Sequence, residues 1–100
     1  MAAMKIILRT EIAGMRFRPA NNTYTLQAHT PLKLVPEPEN PKDQHALKVC
    51  VADLHLGYIP ALASQVIARL IKLGFVVDAI ATSSTRIAVR IRVEDTPNGE

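Results

Sequence analysis

Between Glu37 and Val49 the chain runs EPENPKDQHALKV. Asp43 and Asn40, held among prolines, offer a carboxylate and an amide that can hydrogen-bond a ligand. The same residue types equally bond nearby backbone N–H groups and make a turn and nothing more. A second grouping is MRFR, in which Arg16 and Arg18 flank Phe17, and a third is Arg86, Arg90 and Arg92 along an alternating stretch. Cations follow phosphates and a ring stacks on a base for ~1–3 kcal/mol, so a basic stripe with a loop aromatic is how single-stranded nucleic acid is gripped. The competing reading makes the stripe a solvated strand face and folds Phe17 into the core. Aromatics are only 4% of the chain, so one placed in a loop stands out.

Most other chemistry lacks its residues. Gly14, Gly57, Gly74 and Gly99 stand alone, so there is no glycine-rich phosphate loop, and no GxSxG elbow is present. A metal would need Cys50, His29, His45 and His55, none of which pairs at the short spacing of zinc ligands. Cys50 and His45 are five apart and fall on opposite faces of a regular strand. The thiol lies in an apolar run and reads as a small buried side chain rather than a nucleophile. Glu37, Glu39 and Asp43 are close in sequence, but three acids in a proline-rich turn read as solvated rather than as a metal-binding cluster. Neither catalysis, a cofactor nor a metal is expected.

The chain of 100 residues suits one small domain. Its hydrophobic fraction of 48% is ordinary for a globular protein. The net charge is +3, but Glu94, Asp95 and Glu100 sit in the tail, so residues 1–93 hold all 12 Lys and Arg against six acids, a balance of +6. That excess suits a polyanion or an ordinary charged surface. A single cysteine agrees with a reducing compartment, and no apolar run approaches the ~20 residues of a membrane span. A cytoplasmic protein without membrane contact is the expectation.

These groups need elements to hold them. KIILRTEI (5–12) alternates as a strand, with Ile6, Leu8 and Ile12 on one face. LKLV (32–35) is a second strand, stopped by Pro36 and Pro38. ALKVCVA and HLGYI read as a hairpin about a short turn, with Lys48 facing solvent. Pro60 opens a helix in which Leu62, Val66, Ile67, Leu70 and Leu73 share the inward face, Ser64, Gln65, Arg69 and Lys72 lie opposite, and Gly74 ends it. FVVDAIA and RIAVRIRVE close the order as a second hairpin. The expected fold is mainly β (α+β): a small OB-like curved sheet or partly open barrel of five to six strands with one main helix at about residues 60–73. Residues 1–4 are expected to form an N-terminal extension, 5–94 the domain and 95–100 a disordered tail.

In order and spacing, AGMRF, LKLVPEPENPKDQHALKV and LGYIP leading into the helix resemble the HIRAN domain over roughly residues 5–95. The resemblance implies an OB-like module that binds single-stranded DNA and grips a free 3′-hydroxyl end, fused in large relatives to helicase-like motors. It implies that Arg16 contacts phosphate, that Phe17 stacks on DNA, that Asn40 faces the terminal nucleotide and that Asp43 accepts a hydrogen bond from the 3′-hydroxyl. Two positions depart from the end-binding members. Lys42 stands where they carry an aromatic; it can pair with phosphate but has no π-face. Pro60 and Ala61 stand where they carry cations. Tyr58 could stack instead. Losing a ring and a cation implies binding weaker by a few kcal/mol, at least in order of magnitude.

The function expected is therefore a non-catalytic nucleic-acid-binding module, for single-stranded DNA with a free 3′-hydroxyl, acting in DNA repair or replication-fork processing. A helicase or nuclease is a candidate partner protein. The alternative is a protein-interaction module or accessory subunit without nucleic-acid affinity of its own.

Overall fold

The computed structural model describes residues 2–15 and 24–94. They form six strands and one helix: β1 (Ala2–Glu11), β2 (Pro31–Pro36), β3 (Leu47–Val51), β4 (Leu54–Tyr58), α1 (Ala61–Lys72), β5 (Val77–Ala81) and β6 (Arg86–Glu94). All pairings are antiparallel, in the order β1-β6-β5-β2-β3-β4. This is the mainly-β architecture expected from short alternating runs. β1 begins three residues before the periodicity places it, because Ala2, Ala3 and Met4 pair with the far end of β6. Phe75 and Val76 fall outside β5 and are exposed.

The sheet bends for two local reasons. β2 gives Pro31 and Leu32 to β5 but Lys33 to Pro36 to β3, so its two ends serve diverging halves of the sheet. Its prolines stand at the strand ends, where a missing N–H disturbs the ladder least. A register slip between Ile6 and Leu8 puts a bulge in β1, which adds local twist.

After β1 the chain crosses to the opposite edge. The Ala13 N–H donates to the Tyr58 carbonyl at 2.8 Å, and the Tyr58 N–H donates to the Ala13 carbonyl at 2.9 Å. These two bonds draw the open sheet toward closure, which leaves less strand edge unpaired. The approach is so close that a Cβ on Gly57 would lie 2.5 Å from the Ala13 carbonyl oxygen and 2.7 Å from Ile12 Cγ2. Inside the curve, Leu32, Leu47, Val49, Leu56, Ile87 and Val89 form the buried core.

α1 ends as the sequence predicts. Gly74 takes φ 99°, its N–H donates to the Ile71 carbonyl, and the Phe75 N–H donates to the Leu70 carbonyl. This double closure is a Schellman motif, and it needs the left-handed residue that glycine supplies without strain. Pro60 is the N-cap rather than the first helical residue.

The helix's inward face, however, is not the one expected. Ser64 and Ile67 are buried at 0% and 2% exposure, and Ala63, Ala68 and Ile71 pack on the core. Leu62, Val66 and Leu73 are 85%, 63% and 67% exposed. Of the expected row Ile67 does point inward and Leu70 is half-buried, so α1 is rotated by roughly a third of a turn from its most hydrophobic row. Small residues let its backbone approach the β wall, and Ile67 and Ile71 supply the apolar contact. No helix among the described residues is long and apolar enough to cross a membrane.

Candidate nucleic-acid interface

The loop between β2 and β3 is closed by its own backbone. The Glu37 N–H donates to the Ala46 carbonyl, the Asn40 N–H to the Glu37 carbonyl, and the Ala46 N–H to the Asp43 carbonyl. Side chains fill the remaining needs. Asn40 Oδ1 accepts from the N–H groups of Lys42 at 2.9 Å and Asp43 at 3.2 Å, while its Nδ2 donates to Glu37 Oε1 at 2.7 Å. Both ends of the Asn40 amide therefore serve the loop itself, the turn role that competes with ligand contact.

Asp43 is shared differently. Its Oδ1 accepts from the His45 N–H at 2.8 Å. Its Oδ2 has only the Ser64 hydroxyl, at 3.4 Å, among the described residues. That hydroxyl has one proton and sits closer, 3.0 Å, to the Ala61 carbonyl. Oδ2 consequently keeps acceptor capacity, on a half-exposed side chain beside the start of α1.

Glu37 is the hub. Its Oε1 accepts from Asn40 Nδ2 and from the Tyr58 hydroxyl at 2.9 Å, and its Oε2 lies 3.9 Å from Lys48 Nζ. The donors on Asn40 and Tyr58 hold its carboxyl below the ordinary range, with Lys48 and His55 adding to the effect against some desolvation. Lys48 is thereby half-buried and paired rather than facing solvent. Tyr58 is also half-buried, its ring meeting His55 edge-on at a centroid distance of 4.9 Å. Its hydroxyl and its ring are both engaged in the fold.

The structure thus joins Asn40, Asp43 and Tyr58 into one polar cluster through Glu37 and Ser64. Lys42 is exposed on the same loop, and its side chain forms no ion pair among the described residues. Arg16, Phe17 and Arg18 lie outside the described residues. Met15, the last described residue before them, lies against Gly57: its Cγ would be 3.4 Å from a Cβ there.

Two members of the cluster escaped sequence reasoning. Glu37 is weighed there only as one of three acids, although its position three residues before Asn40 is the signal for an acid–amide pair. Ser64 is assigned to solvent because its neighbours' hydrophobicity decided the helix face; the small residues Ala61, Ala63, Ser64 and Ala68 were the available clue.

The basic stripe on β6 is reduced. Arg90 forms a two-pronged pair with Asp78, Nε to Oδ1 at 2.8 Å and Nη2 to Oδ2 at 2.7 Å, which raises the guanidinium pKa. Arg86 stands opposite Glu11, and Ala88 between the arginines is fully buried. On this strand the charge of Arg90 is thus balanced by Asp78. Cys50 is buried, which pushes its thiol pKa up, and among the described residues no group of three His, Cys, Asp or Glu is gathered for a metal.

A bent antiparallel sheet nearly closed on itself, one helix on its wall and a braced polar loop at the helix start define a small OB-like β module with a rim site. The model for the HIRAN domain matches residues 7–96, and the chain belongs to that family, one of DNA-binding modules. No curated protein matches the sequence. Among solved structures, the crystal structure of the HIRAN domain of human HLTF is similar with a TM-score of 0.77 at 15% identity, covering 94% of this chain and 81% of that one. A crystal structure of a protein from Lactobacillus plantarum is similar with a TM-score of 0.80 at 20% identity, covering 94% and 100%. At these identities the likeness is one of fold.

Proposed function

We propose that this domain acts by binding single-stranded DNA and prefers a strand that ends in a free 3′-hydroxyl. One observation carries the reading: Asp43 keeps an oxygen with spare acceptor capacity on a half-exposed, proline-stiffened loop. A carboxylate is a poor phosphate site, because like charges repel, but a good acceptor for an uncharged hydroxyl. Pro38 and Pro41 stiffen the loop and lower the entropy lost on binding. Asn40 and Glu37 hold the loop's shape, so Asn40 contributes by positioning Asp43 through its own Oδ1 bond. Lys42 supplies a cation beside it, and Arg16, Phe17 and Arg18 follow directly on Met15, which is packed beside β4. They would add phosphate contacts and a stacking ring. Repair or fork processing in the cytoplasm, with a helicase or nuclease as companion, is the setting that fits such an activity.

The test is fluorescence anisotropy with oligonucleotides that end in a 3′-hydroxyl, end in a 3′-phosphate, or are closed circles. The hydroxyl end should bind best, and Asp43→Ala should level the two linear strands. Equal affinity for all three in the unaltered protein would remove end recognition and leave a general nucleic-acid binder.

A further inference from the structure

A cleft with a volume of about 1010 Å³ lies beside the cluster around Asp43, between the proline-rich loop and the C-terminal half of α1. Pro36, Pro38, Ala68 and Ile71 give it apolar walls, and Leu73 extends them to the exposed end of the helix. Arg69 and Lys72 stand along its helical side, with His45 across from them. Glutamines 44 and 65 complete the lining, and no carboxylate contributes to it. Arg69 and Lys72 belong to neither ion pair among the described residues.

We propose that this groove docks a short acidic, apolar peptide segment of a partner protein, making the domain bivalent. The charge argument selects the partner. Two permanent cations edge an apolar trough whose lining is free of acids, so the complementary segment places Asp or Glu beside Leu, Ile or Phe. The negative end of the helix dipole offsets only about half a charge, which leaves the groove positive. Nucleic acid fits it poorly. No Phe, Tyr or Trp lines the groove for a base to stack on, His45 being the one ring in its lining, and a sugar–phosphate chain would cover apolar walls with charge. The apolar trough is an unusual feature to leave open on a small domain, and the exposed Leu62 and Val66 continue along the same helix. Pro36 and Pro38 keep one wall rigid, which favours a preformed peptide groove.

A random twelve-residue peptide display library selected on the full chain tests this. Enriched peptides should carry acidic residues next to large apolar ones. A synthetic copy should shift the amide resonances of Ala68, Arg69, Lys72 and His45 in the labelled protein. Reversing the charges with Arg69→Glu and Lys72→Glu, both on exposed positions, should weaken that peptide about tenfold or more; Asp43→Ala should leave it bound. A melting curve and Arg69→Ala with Lys72→Ala guard against misfolding. The proposal falls if no peptide is enriched, if enriched peptides lack acids, or if the charge reversal has no effect. It also falls if these resonances move on dilution without peptide, which assigns the groove to a second copy, or move with an oligo-dT strand, which assigns it to nucleic acid. Since Asp43→Ala and the charge-reversed pair report on different ligands, loss of one reading leaves the other standing.

Discussion

Glu37 shows how one carboxylate can brace a site it does not itself form. It gathers donors from the loop, from β4 and from β3, so its ionised form is favoured by the fold. A carboxyl whose folded pKa lies below its unfolded value stabilises the fold at pH above the unfolded value, and that contribution is lost as pH falls through the folded one. Glu37→Gln keeps the shape and exchanges charged hydrogen bonds for neutral ones. Urea unfolding should show the variant less stable by about 1 kcal/mol at neutral pH. The gap should close on acidification below the ordinary carboxylate range. A gap that persists unchanged in acid would mean that packing, not charge, sets it. Asp43 answers to a different assay: its replacement should alter end preference, the expectation tested above with hydroxyl and phosphate termini.

Among the elements, α1 and the β1–β4 crossing decide where the site stands. If Ile67 is the inward anchor, Ile67→Ala should cost about 2–5 kcal/mol in chemical denaturation, whereas Val66→Gln should change stability by no more than about 0.5 kcal/mol. Hydrophobicity alone gives the opposite expectation for Val66, so the pair of variants distinguishes the two orientations. The crossing depends on Gly57. Placing a methyl group there sets it against the Ala13 carbonyl and Ile12, and one of them must move. Gly57→Ala should destabilise the fold by about 1–3 kcal/mol, with hydrogen exchange fastest to rise at the Ala13 and Tyr58 amides. Unchanged protection at those amides would show that the near-closure tolerates a Cβ.

For the whole molecule, the excess of positive charge outside the tail sets how binding responds to salt. With Arg16, Arg18 and Lys42 as the phosphate partners, three contacts on a single strand give a slope of about −2 in log K against log salt. Anisotropy titrations across a salt series measure it, and replacing Lys42 with Ala should make the slope shallower by about 0.7, while Asp43→Ala should not. A slope near zero would remove the electrostatic grip. The sequence by itself determined the succession of strands and helix along the chain, the Gly74 stop, the absence of a phosphate loop and the family, because these rest on local periodicity, turn chemistry and short motifs that need no distant partner. Only the tertiary structure decided which face of α1 turns inward, since that depends on how closely Ala63 and Ser64 let the helix approach the wall. Likewise it was the pairing of Ala13 with Tyr58, the neutralisation of Arg90 by Asp78 and the gathering of donors on Glu37 that no local pattern carries. Each joins residues distant in the chain, and a contact of that kind is settled by the path of the sheet rather than by neighbouring residue types.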